Sequence, residues 1–364
     1  MAYRITLIPG DGSGPDIMAE VKRCIDATDV QIDWETVEAG LEALEKKGSL
    51  LPEAVLDSIE SNHIALKGPI TTPSGTGYRS INVQLRQHFD LFACVRPCKT
   101  IKGLEGISQD VDLVVIRENT EDLYAGIEFK DGEESTLELI EMVKKHLGKK
   151  IPLDSGISLK PISRTASKRI AQFAFKYAKD NRRKKVTAVT KANIMKFTDG
   201  LFSEEAKMVA QNYPTVEFEH LLIDNACLHL VSSPQKYDLL LAPNLYGDII
   251  SDLCAAFVGG LGMVPGANLG EKCAIFEAVH GSAPKYKGKN VMNPCALILS
   301  GAMMLNYLGE EEAAHRLYNA VEAVVREGCY VTRDLNPQSY VGTKEMADRI
   351  IHFLKLGGRN EYEK

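Results

Sequence analysis

Short apolar runs alternate with helix-like segments along most of this chain of 364 residues, and few architectures accommodate that alternation. After the first run, at 3–10, the apolar residues Ile17, Met18 and Val21 recur at the spacing of one helix face. The further runs that favour strands lie at 63–69, 112–119, 185–193 and 237–244. Because helical sequence accompanies each run, we expect an α/β fold with largely parallel strands.

The composition is that of an ordinary globular protein, with 45% hydrophobic and 25% charged residues. The formal net charge of −6 argues against a nucleic-acid binder, which would carry a basic face. No apolar run approaches the roughly 18 residues of a membrane span, and the first residues carry no secretory or transit pattern. The eight cysteines form no CxxC pair, so we expect reduced thiols and a cytoplasmic protein.

The glycine-rich turn at 10–14 lies between a strand and a helix, where a dinucleotide-binding fingerprint would be found. Its spacing is wrong for that motif, because Pro15 occupies the position of the third glycine. Asp11 and Asp16 would also put negative charge beside a pyrophosphate. We therefore predict a tight turn, with Pro15 in the first turn of the helix, and no Rossmann site.

Two carboxylates, Asp248 and Asp252, stand four residues apart in a segment whose neighbours are apolar or small. On a helix this spacing places both side chains on one face, where a cation between them would relieve their repulsion. Oxygen ligands alone favour Mg²⁺ or Mn²⁺ over zinc. Asp224, which precedes Asn225, is a candidate for a third ligand.

A group of arginines close together in the sequence predicts a small polyanionic substrate, because a guanidinium matches a carboxylate through two contacts. The arginines are Arg79, Arg86, Arg96 and Arg117. Ser80 and Asn82 lie within this group and supply neutral hydrogen-bonding groups.

Two other sets of residues are candidates for chemistry. Tyr124 and Lys191 are candidates for proton transfer, because burial beside a metal can lower the pKa of either side chain. The loop from His280 to Asn293 is rich in turn residues, and its ammonium and hydroxyl groups could hold the adenosine end of a nucleotide.

The polar segment 126–163 differs from its surroundings, and we interpret it as an inserted arm. In its second half, apolar and polar residues alternate as they do in strands.

Together these motifs resemble the decarboxylating β-hydroxyacid dehydrogenases, which act on isocitrate, homoisocitrate, isopropylmalate or tartrate. The similarity runs from IPGDGSGPD to VTRDLNP, and its most specific blocks are NLYGDIISDLCAAFVGGLGMVPGANLG, RENTEDLYAGIE and HGSAPKY. It implies the isocitrate/isopropylmalate dehydrogenase fold, which is not a Rossmann fold. A large α/β domain would comprise 1–91 and 259–364, and a small α/β domain 92–121 and 164–258. The arm at 122–163 would clasp a partner in a homodimer with shared active sites.

The resemblance also implies a reaction, the oxidative decarboxylation of isocitrate to 2-oxoglutarate. Lys191 and Asp224, from the neighbouring subunit, would relay the hydroxyl proton as hydride leaves, and Tyr124 would protonate the enolate after CO₂ is lost. The substrate-binding residues implied are Ser80, Asn82, Arg86, Arg96, Arg117, Tyr124 and Lys191. The ligands implied for Mg²⁺ or Mn²⁺ are Asp224, Asp248 and Asp252.

The cofactor expected from the resemblance is NADP, with NAD as the alternative. Lys285 and Tyr286 stand where NAD-using relatives carry an aspartate and an apolar residue, and both suit a 2′-phosphate. Arg333 would add to them, although Pro337 stands where a further arginine is expected. The cofactor-binding residues implied are Thr72, Asn82, Asn193, His280, Gly281, Lys285, Tyr286, Asn293 and Arg333.

Three alternatives remain open at this point. A sister enzyme would act on homoisocitrate, isopropylmalate or tartrate, although the pairing of Ser80 with Asn82 favours isocitrate. A regulatory subunit without catalysis is a second alternative, although the proton-transfer and metal candidates are all present. A Mg²⁺-dependent phosphoryl-transfer enzyme would need a GxxxxGK[ST] loop, which the sequence lacks.

Overall fold

The computed structural model describes residues 2–71, 80–104 and 110–356. It contains a ten-stranded sheet covered by helices, which confirms the expected α/β class. The strands of this sheet and of a small two-stranded sheet are β1 (Tyr3–Ile8), β2 (Ile32–Thr36), β3 (Ile64–Lys67), β4 (Ala93–Lys99), β5 (Asp112–Glu118), β6 (Glu128–Phe129), β7 (Ile157–Ser158), β8 (Lys185–Thr190), β9 (Glu217–Leu222), β10 (Leu239–Ala242), β11 (Pro265–Leu269) and β12 (Ala274–Ala278).

Helices connect most of these strands, as the alternation in the sequence predicts. They are α1 (Gly14–Asp26), α2 (Leu41–Lys47), α3 (Glu53–Asn62), α4 (Ile81–His88), α5 (Glu134–Leu147), α6 (Arg164–Asp180), α7 (Asp199–Ala210), α8 (Ile223–Ser232), α9 (Asn244–Ala256), α10 (Cys295–Tyr307), α11 (Glu311–Glu327) and α12 (Thr343–Lys355).

The large sheet has the order β2-β1-β3-β12-β11-β4-β5-β10-β8-β9. Six of its neighbouring pairs are parallel, and the pairs that involve β4 or β11 are antiparallel. The sheet is therefore mixed at its centre, a feature that the apolar runs did not predict. Strands from both chain ends lie on one side of the β11–β4 junction, and strands from the middle of the chain lie on the other.

The apolar cores follow the same partition. α1, α10, α11 and α12 bury apolar side chains against β1, β11 and β12, whereas α6 and α7 pack against β5, β8 and β10. β10 is buried along its whole length, as expected for a parallel strand covered on both faces. The domain boundaries given above remain a proposal, which this partition of the cores supports.

The arm agrees only in part with the sequence prediction. β6 pairs with β7 in the two-stranded sheet, and α5 lies between them. The alternation after β7 does not continue as a strand, because Pro161 has no amide hydrogen for a ladder and α6 begins at Arg164. The Ser163 side chain accepts a hydrogen bond from the Ala166 amide and so caps α6.

No helix in the described part of the chain is long and apolar enough to cross a membrane. All eight cysteines are free, and most of them are buried.

Candidate active site

Three arginine side chains are brought together from three elements. Arg86 is in the last turn of α4, Arg96 is on β4, and Arg117 is near the end of β5. All three are buried, with exposed fractions of 7%, 7% and 1%. The antiparallel pairing of β4 with β5 sets Arg96 opposite Val115, so the two strands carry their arginines side by side.

Two of the buried arginines, Arg96 and Arg117, contact side chains of α9. Arg117 bonds to the Asp248 carboxylate, and its Nε and Nη2 donate to Asn244 Oδ1 at 3.0 and 2.7 Å. Arg96 bonds to the Ser251 hydroxyl and lies 3.4 Å from Asp248 Oδ1. Gly247 permits this packing, because a Cβ there would lie 2.6 Å from the Arg117 side chain.

The three arginines and Lys67 together carry four positive charges, whereas the carboxylates that pair with them, Glu277, Asp248 and Asp252, carry three negative charges. Burial lowers the pKa of Arg117, and the nearby Arg86 and Arg96 guanidinium groups lower it further. Because arginine stays protonated in proteins, the repulsion within the cluster favours binding of an anion. The Arg86 Nε atom is buried without a hydrogen-bond partner in the described chain, which also favours an anionic ligand.

Asp248 and Asp252 lie one turn apart on α9, as their spacing predicts. Burial raises the pKa of Asp248, but its charged and hydrogen-bonding neighbours outweigh this effect and lower the pKa overall. These neighbours are Arg117, the Tyr124 hydroxyl, Arg96 and Arg86. Burial raises the pKa of Asp252, and the charge of Asp248 adds to the rise. One carboxylate is thus held ionised, whereas the other is easier to protonate than an ordinary aspartate.

The two aspartates suit a hard divalent cation. Their side chains are 36% and 56% exposed, so the carboxylate face of α9 is open to solvent and to a substrate. Within the described residues, no three His, Cys, Asp or Glu side chains come together as a metal site. Mg²⁺ commonly takes one or two carboxylates and completes its shell with water and substrate oxygens, so the pair fits such an ion.

Tyr124 lies beside this cluster, in a single 3₁₀ turn over Asp122–Ala125. Its hydroxyl donates to Asp248 Oδ2 at 2.6 Å, and the Arg117 guanidinium carbon is 4.7 Å from its ring centre. Burial raises the pKa of Tyr124, and the hydrogen bond to Asp248 raises it further. This raised pKa suits Tyr124 to the role of an acid, and the lowered pKa expected beside a bound metal stays a prediction.

Lys191 and Asp224 form a separate pair. The Lys191 ammonium lies 2.6 Å from Asp224 Oδ1, and hydrogen bonding to Lys191 lowers the pKa of Asp224. Asp224 is exposed at the start of α8 and, among the described residues, joins no metal cluster with Asp248. The chain therefore presents this carboxylate and its paired ammonium at a solvent-accessible position.

Ser80 and Asn82 lie at the start of α4, on the same helix as Arg86. The Ser80 hydroxyl makes no capping bond to that helix. Asn82 Oδ1 is buried and has no hydrogen-bond partner in the described chain. Thr72 and Arg79 lie outside the residues that the structure describes.

The glycine-rich turn supports the loop that begins at His280. The Ser13 amide and hydroxyl both donate to the Ser282 carbonyl at 2.9 Å. Gly12 has a φ of +59°, and a Cβ there would lie 2.4 Å from the same carbonyl oxygen. The turn therefore holds a neighbouring loop, in agreement with the prediction that it is not a Rossmann fingerprint.

In that loop, burial lowers the pKa of His280, and its Nε2 is buried without a partner in the described chain. Gly281, Lys285 and Tyr286 are exposed. Asn293 is buried, where its amide donates to Asp334 at 3.0 Å and its Oδ1 accepts from the Cys295 amide at 2.9 Å. Its cofactor role, like those of exposed Asn193 and Arg333, remains a prediction.

Sequence reasoning did not single out the residues that orient the arginines. Glu277 lies 2.6 Å from Lys67 Nζ and 3.2 Å from Arg86 Nη2, and Asn268 donates to it at 2.7 Å. The one available signal was a glutamate inside the apolar run that forms β12. The other residue not singled out, Asn244, is the first residue of α9.

Comparison with known proteins identifies the family. A family model described as isocitrate/isopropylmalate dehydrogenase matches residues 4–350. The chain belongs to this family. A solved structure of isocitrate dehydrogenase from Methylococcus capsulatus matches it with a TM-score of 0.90 and 47% identity, over 97% of this chain and 99% of that one.

Curated family relatives have similar lengths. The chain is 45% identical to a probable mitochondrial isocitrate dehydrogenase [NAD] of Drosophila melanogaster, named as the alpha subunit, over 91% of this chain and 83% of the relative. It is also 45% identical to a mitochondrial isocitrate dehydrogenase [NAD] of Dictyostelium discoideum, named as a regulatory subunit, over 96% and 93%.

The expectation of NADP is wrong, because these family relatives are named as NAD-dependent. Lys285 and Tyr286 are both exposed, and the Lys285 ammonium lies 4.8 Å from the ring centre of Tyr286. The exposed Arg333 guanidinium lies 5.8 Å from the ring of Tyr340. Residue types in this loop were therefore a poor guide to the cofactor.

Proposed function

We propose that this protein catalyses the oxidative decarboxylation of isocitrate to 2-oxoglutarate, with NAD as hydride acceptor and a divalent cation. The observation that carries the proposal is the convergence of buried Arg86, Arg96 and Arg117 around Asp248, beside the Tyr124 hydroxyl. A hydroxy acid with three carboxylates supplies the negative charge that this cluster favours. Relatives of 45% identity that are named isocitrate dehydrogenases support the choice of substrate.

Ser80 and Asn82 are proposed to distinguish isocitrate from the substrates of sister enzymes. Both are neutral hydrogen-bonding residues at the start of the helix that carries Arg86. Asn82 Oδ1 accepts no hydrogen bond within the described chain, although it is buried. Because unpaired buried polar groups are costly, these residues favour a polar substrate tail over an isopropyl group.

Asp248 and Asp252 are proposed to hold Mg²⁺ or Mn²⁺, with Asp224 supplied by a second subunit. When bound, such a cation would supply Lewis-acid stabilisation of negative charge on substrate oxygens. Arg96 lies 3.4 and 3.6 Å from the two carboxylates, so it is placed to bind a substrate carboxylate next to them.

The proton transfers are proposed to be divided between two residues. Lys191, which is paired with Asp224 at 2.6 Å, would relay the proton from the substrate hydroxyl as hydride leaves the same carbon. Tyr124 would protonate the enolate that remains after CO₂ is lost. Its raised pKa keeps the proton on the hydroxyl until a stronger base forms beside it.

NAD is proposed to bind along the loop that begins at His280. The buried Nε2 of His280 has no hydrogen-bond partner among the residues that the structure describes, and exposed Gly281 leaves the adjoining backbone open to a ligand. Asn193 and Asn293 are further proposed contacts; Asn193 is exposed, and the Asn293 side chain is held by Asp334 and the Cys295 amide. Thr72, outside the described residues, completes the proposed set.

An assembly with shared active sites is part of the proposal. α8 and α9 present Leu228, Val231 and Ile249 to solvent with exposed fractions of 64%, 60% and 53%, and Phe197, after β8, is 92% exposed. Such an apolar surface favours a subunit interface. The relatives are named as subunits, so a homodimer is one form of the assembly and a hetero-oligomer is the other. The cytoplasmic location remains a prediction, whereas these relatives are named mitochondrial.

A direct assay tests the proposal. Hydride transfer would be followed with Mn²⁺ and each of isocitrate, homoisocitrate, isopropylmalate and tartrate, using NAD and NADP separately. We expect isocitrate with NAD to give the highest kcat/KM. A higher value with another acid would assign the protein to a sister activity. Failure of hydride transfer with all four acids would favour a regulatory role. The Dictyostelium relative is named as a regulatory subunit.

A further inference from the structure

A lysine of the arm bridges two buried carboxylates that no step of the proposed reaction uses. Lys160 Nζ lies 2.6 Å from Asp199 Oδ1 and 3.7 Å from Asp122 Oδ1. Both aspartates are fully buried, and the lysine side chain is 13% exposed. The same ammonium lies 4.5 Å from the ring centre of Tyr246 on α9. We call Lys160, Asp122 and Asp199 the bridge.

One end of the bridge holds the segment that carries Tyr124. Asp122 has a φ of +69° and occupies the 3₁₀ turn with Tyr124. Its Oδ1 accepts from the Leu123 amide at 2.8 Å, and its Oδ2 accepts from the Leu245 amide in the first turn of α9 at 2.9 Å. Asp122 therefore fixes Tyr124 relative to the helix that carries Asp248.

The other end of the bridge holds Lys191. Asp199, at the start of α7, accepts a hydrogen bond from the Lys191 backbone amide at 2.6 Å. The segment of Lys160 is itself tied to the Tyr124 segment, because the Asp122 amide donates to the Pro161 carbonyl at 3.0 Å. A continuous set of contacts of 2.6 to 3.7 Å thus runs from the turn that holds Tyr124 to the backbone of Lys191.

We propose that Lys160 is a positioning residue, which holds Tyr124 and Lys191 in place through its contacts with Asp122 and Asp199. The inference rests on the proposed function for the roles of those two residues. A neutral side chain could fill the same space, but it would leave two buried carboxylates without a counter-charge. In the proposed assembly Tyr124 and Lys191 serve different active sites, so Lys160 joins the two sites through the base of the arm.

The test compares Lys160→Met with Lys160→Arg and with Lys176→Met, whose lysine forms an exposed pair with Asp180 on α6. Displacement of catalytic groups by about 1 Å costs on the order of 10²-fold in rate. We therefore expect Lys160→Met to lower kcat by roughly 10- to 100-fold, with KM for isocitrate and NAD changed less than about threefold. Lys160→Arg should recover most of the rate, and Lys176→Met should match the wild type.

A double variant separates positioning from stability. Lys160→Met with Asp199→Asn removes one unpaired charge while it keeps an oxygen for the Lys191 amide. If Lys160 only stabilises the fold, kcat should recover together with the melting temperature. If it positions the two residues, the melting temperature should rise relative to Lys160→Met while kcat stays low. A single variant with wild-type kcat, or a double variant with recovered kcat, would overturn the inference.

Hydrogen exchange provides a readout that needs no turnover. In Lys160→Met, amides in 119–125 and 190–199 should lose protection together, while those of β10 keep it. Unchanged exchange in both segments would also overturn the inference, even if the wild type failed to oxidise isocitrate. The wild type could fail to oxidise any of the four acids while Lys160→Met still loses protection in both segments together. That result would refute the proposed function and leave the bridge supported.

Discussion

The hydroxyl of Tyr124 donates a hydrogen bond to Asp248 Oδ2 across 2.6 Å. The proposed acid of the reaction is therefore in direct contact with a proposed metal ligand. The carboxylate that would help to hold the cation thus also holds the Tyr124 hydroxyl, so Asp248 positions the proposed acid beside the place where the ion would stabilise negative charge on the substrate. The hydrogen bonding of the Tyr124 hydroxyl therefore depends on whether a ligand is bound at Asp248.

Replacing Tyr124 by phenylalanine tests its role as an acid. Tyr124→Phe removes the proton donor and keeps the ring that packs against Arg117. We expect KM for isocitrate to change little and product formation to slow on the order of 10²-fold or more. Steady-state kinetics measure both quantities, and Tyr307→Phe, at an exposed position in the last turn of α10, is the control. Unchanged kcat in Tyr124→Phe would remove Tyr124 from the mechanism.

Asp252→Asn tests the proposed metal site without an activity assay. Mn²⁺ that binds the folded protein should raise the melting temperature, and a concentration of 100 times Kd corresponds to about 2.7 kcal/mol. The rise should be lost or strongly reduced in Asp252→Asn, which removes one charged ligand. Asp180→Asn changes an exposed carboxylate on α6 and should keep the full shift. An equal shift in all three proteins would place the ion elsewhere.

Ser80→Glu tests how the substrate is distinguished. A carboxylate at the start of α4 would repel the γ-carboxylate of isocitrate, and an unpaired buried anion costs several kcal/mol. We expect kcat/KM for isocitrate to fall by at least about 10²-fold. Ser135→Glu, at an exposed position early in α5, is the matched control. Turnover within about threefold of the wild type in Ser80→Glu would remove Ser80 from the substrate site.

The cofactor preference can be measured directly. The wild type should give a higher kcat/KM with NAD than with NADP. Because NAD has no 2′-phosphate to pair with the exposed Lys285 ammonium, Lys285→Ala should change kcat/KM for NAD less than about threefold. A wild-type preference for NADP that Lys285→Ala abolishes would restore the prediction drawn from the sequence.

Glu277 predicts a stability effect that depends on pH. Burial alone would raise the pKa of Glu277, but Lys67 and Arg86 outweigh it and hold the value at about 2. Because an unfolded glutamate titrates near 4.3, the ionised side chain stabilises the fold above that pH, and the contribution is lost as pH falls toward 2.

We therefore expect Glu277→Gln to lower the free energy of unfolding at pH 7 by about 3 to 5 kcal/mol, since it leaves Lys67 buried and unpaired. The loss of stability between pH 4.3 and 2 should be smaller in the variant than in the wild type. Urea unfolding across this range measures both effects. Glu322→Gln, in a more exposed pair with Arg326, should show neither effect.

The sequence predicted the features that depend only on residues close together along the chain. The spacing of Asp248 and Asp252 determines their common face once a helix forms, and the runs of apolar residues located β1, β5, β8 and β10. The group of arginines predicted a polyanionic substrate, but how Arg86, Arg96 and Arg117 meet depends on the packing of α4, β4 and β5, which the sequence does not show. The bridge was invisible for the same reason: Lys160 and Asp199 are joined by tertiary packing.

The cofactor prediction failed for a related reason. Lys285 and Tyr286 were judged by residue type, which does not give the position that a side chain takes relative to a bound nucleotide. Glu277 illustrates the opposite case, since a carboxylate amid the apolar residues of β12 needs a buried partner, although the sequence does not identify Lys67 as that partner.

The order of strands in the large sheet constrains how the protein is made. β3 ends at Lys67, and its parallel neighbour β12 begins at Ala274, roughly 200 residues later in synthesis. At about 5–20 residues per second, β3 leaves the ribosome roughly 10 to 40 s before that neighbour. The first three strands thus carry an unpaired edge throughout translation of the middle of the chain, which can complete its own core from α6, α7 and their strands first. Chaperone dependence should therefore be greatest for nascent chains that end before β12.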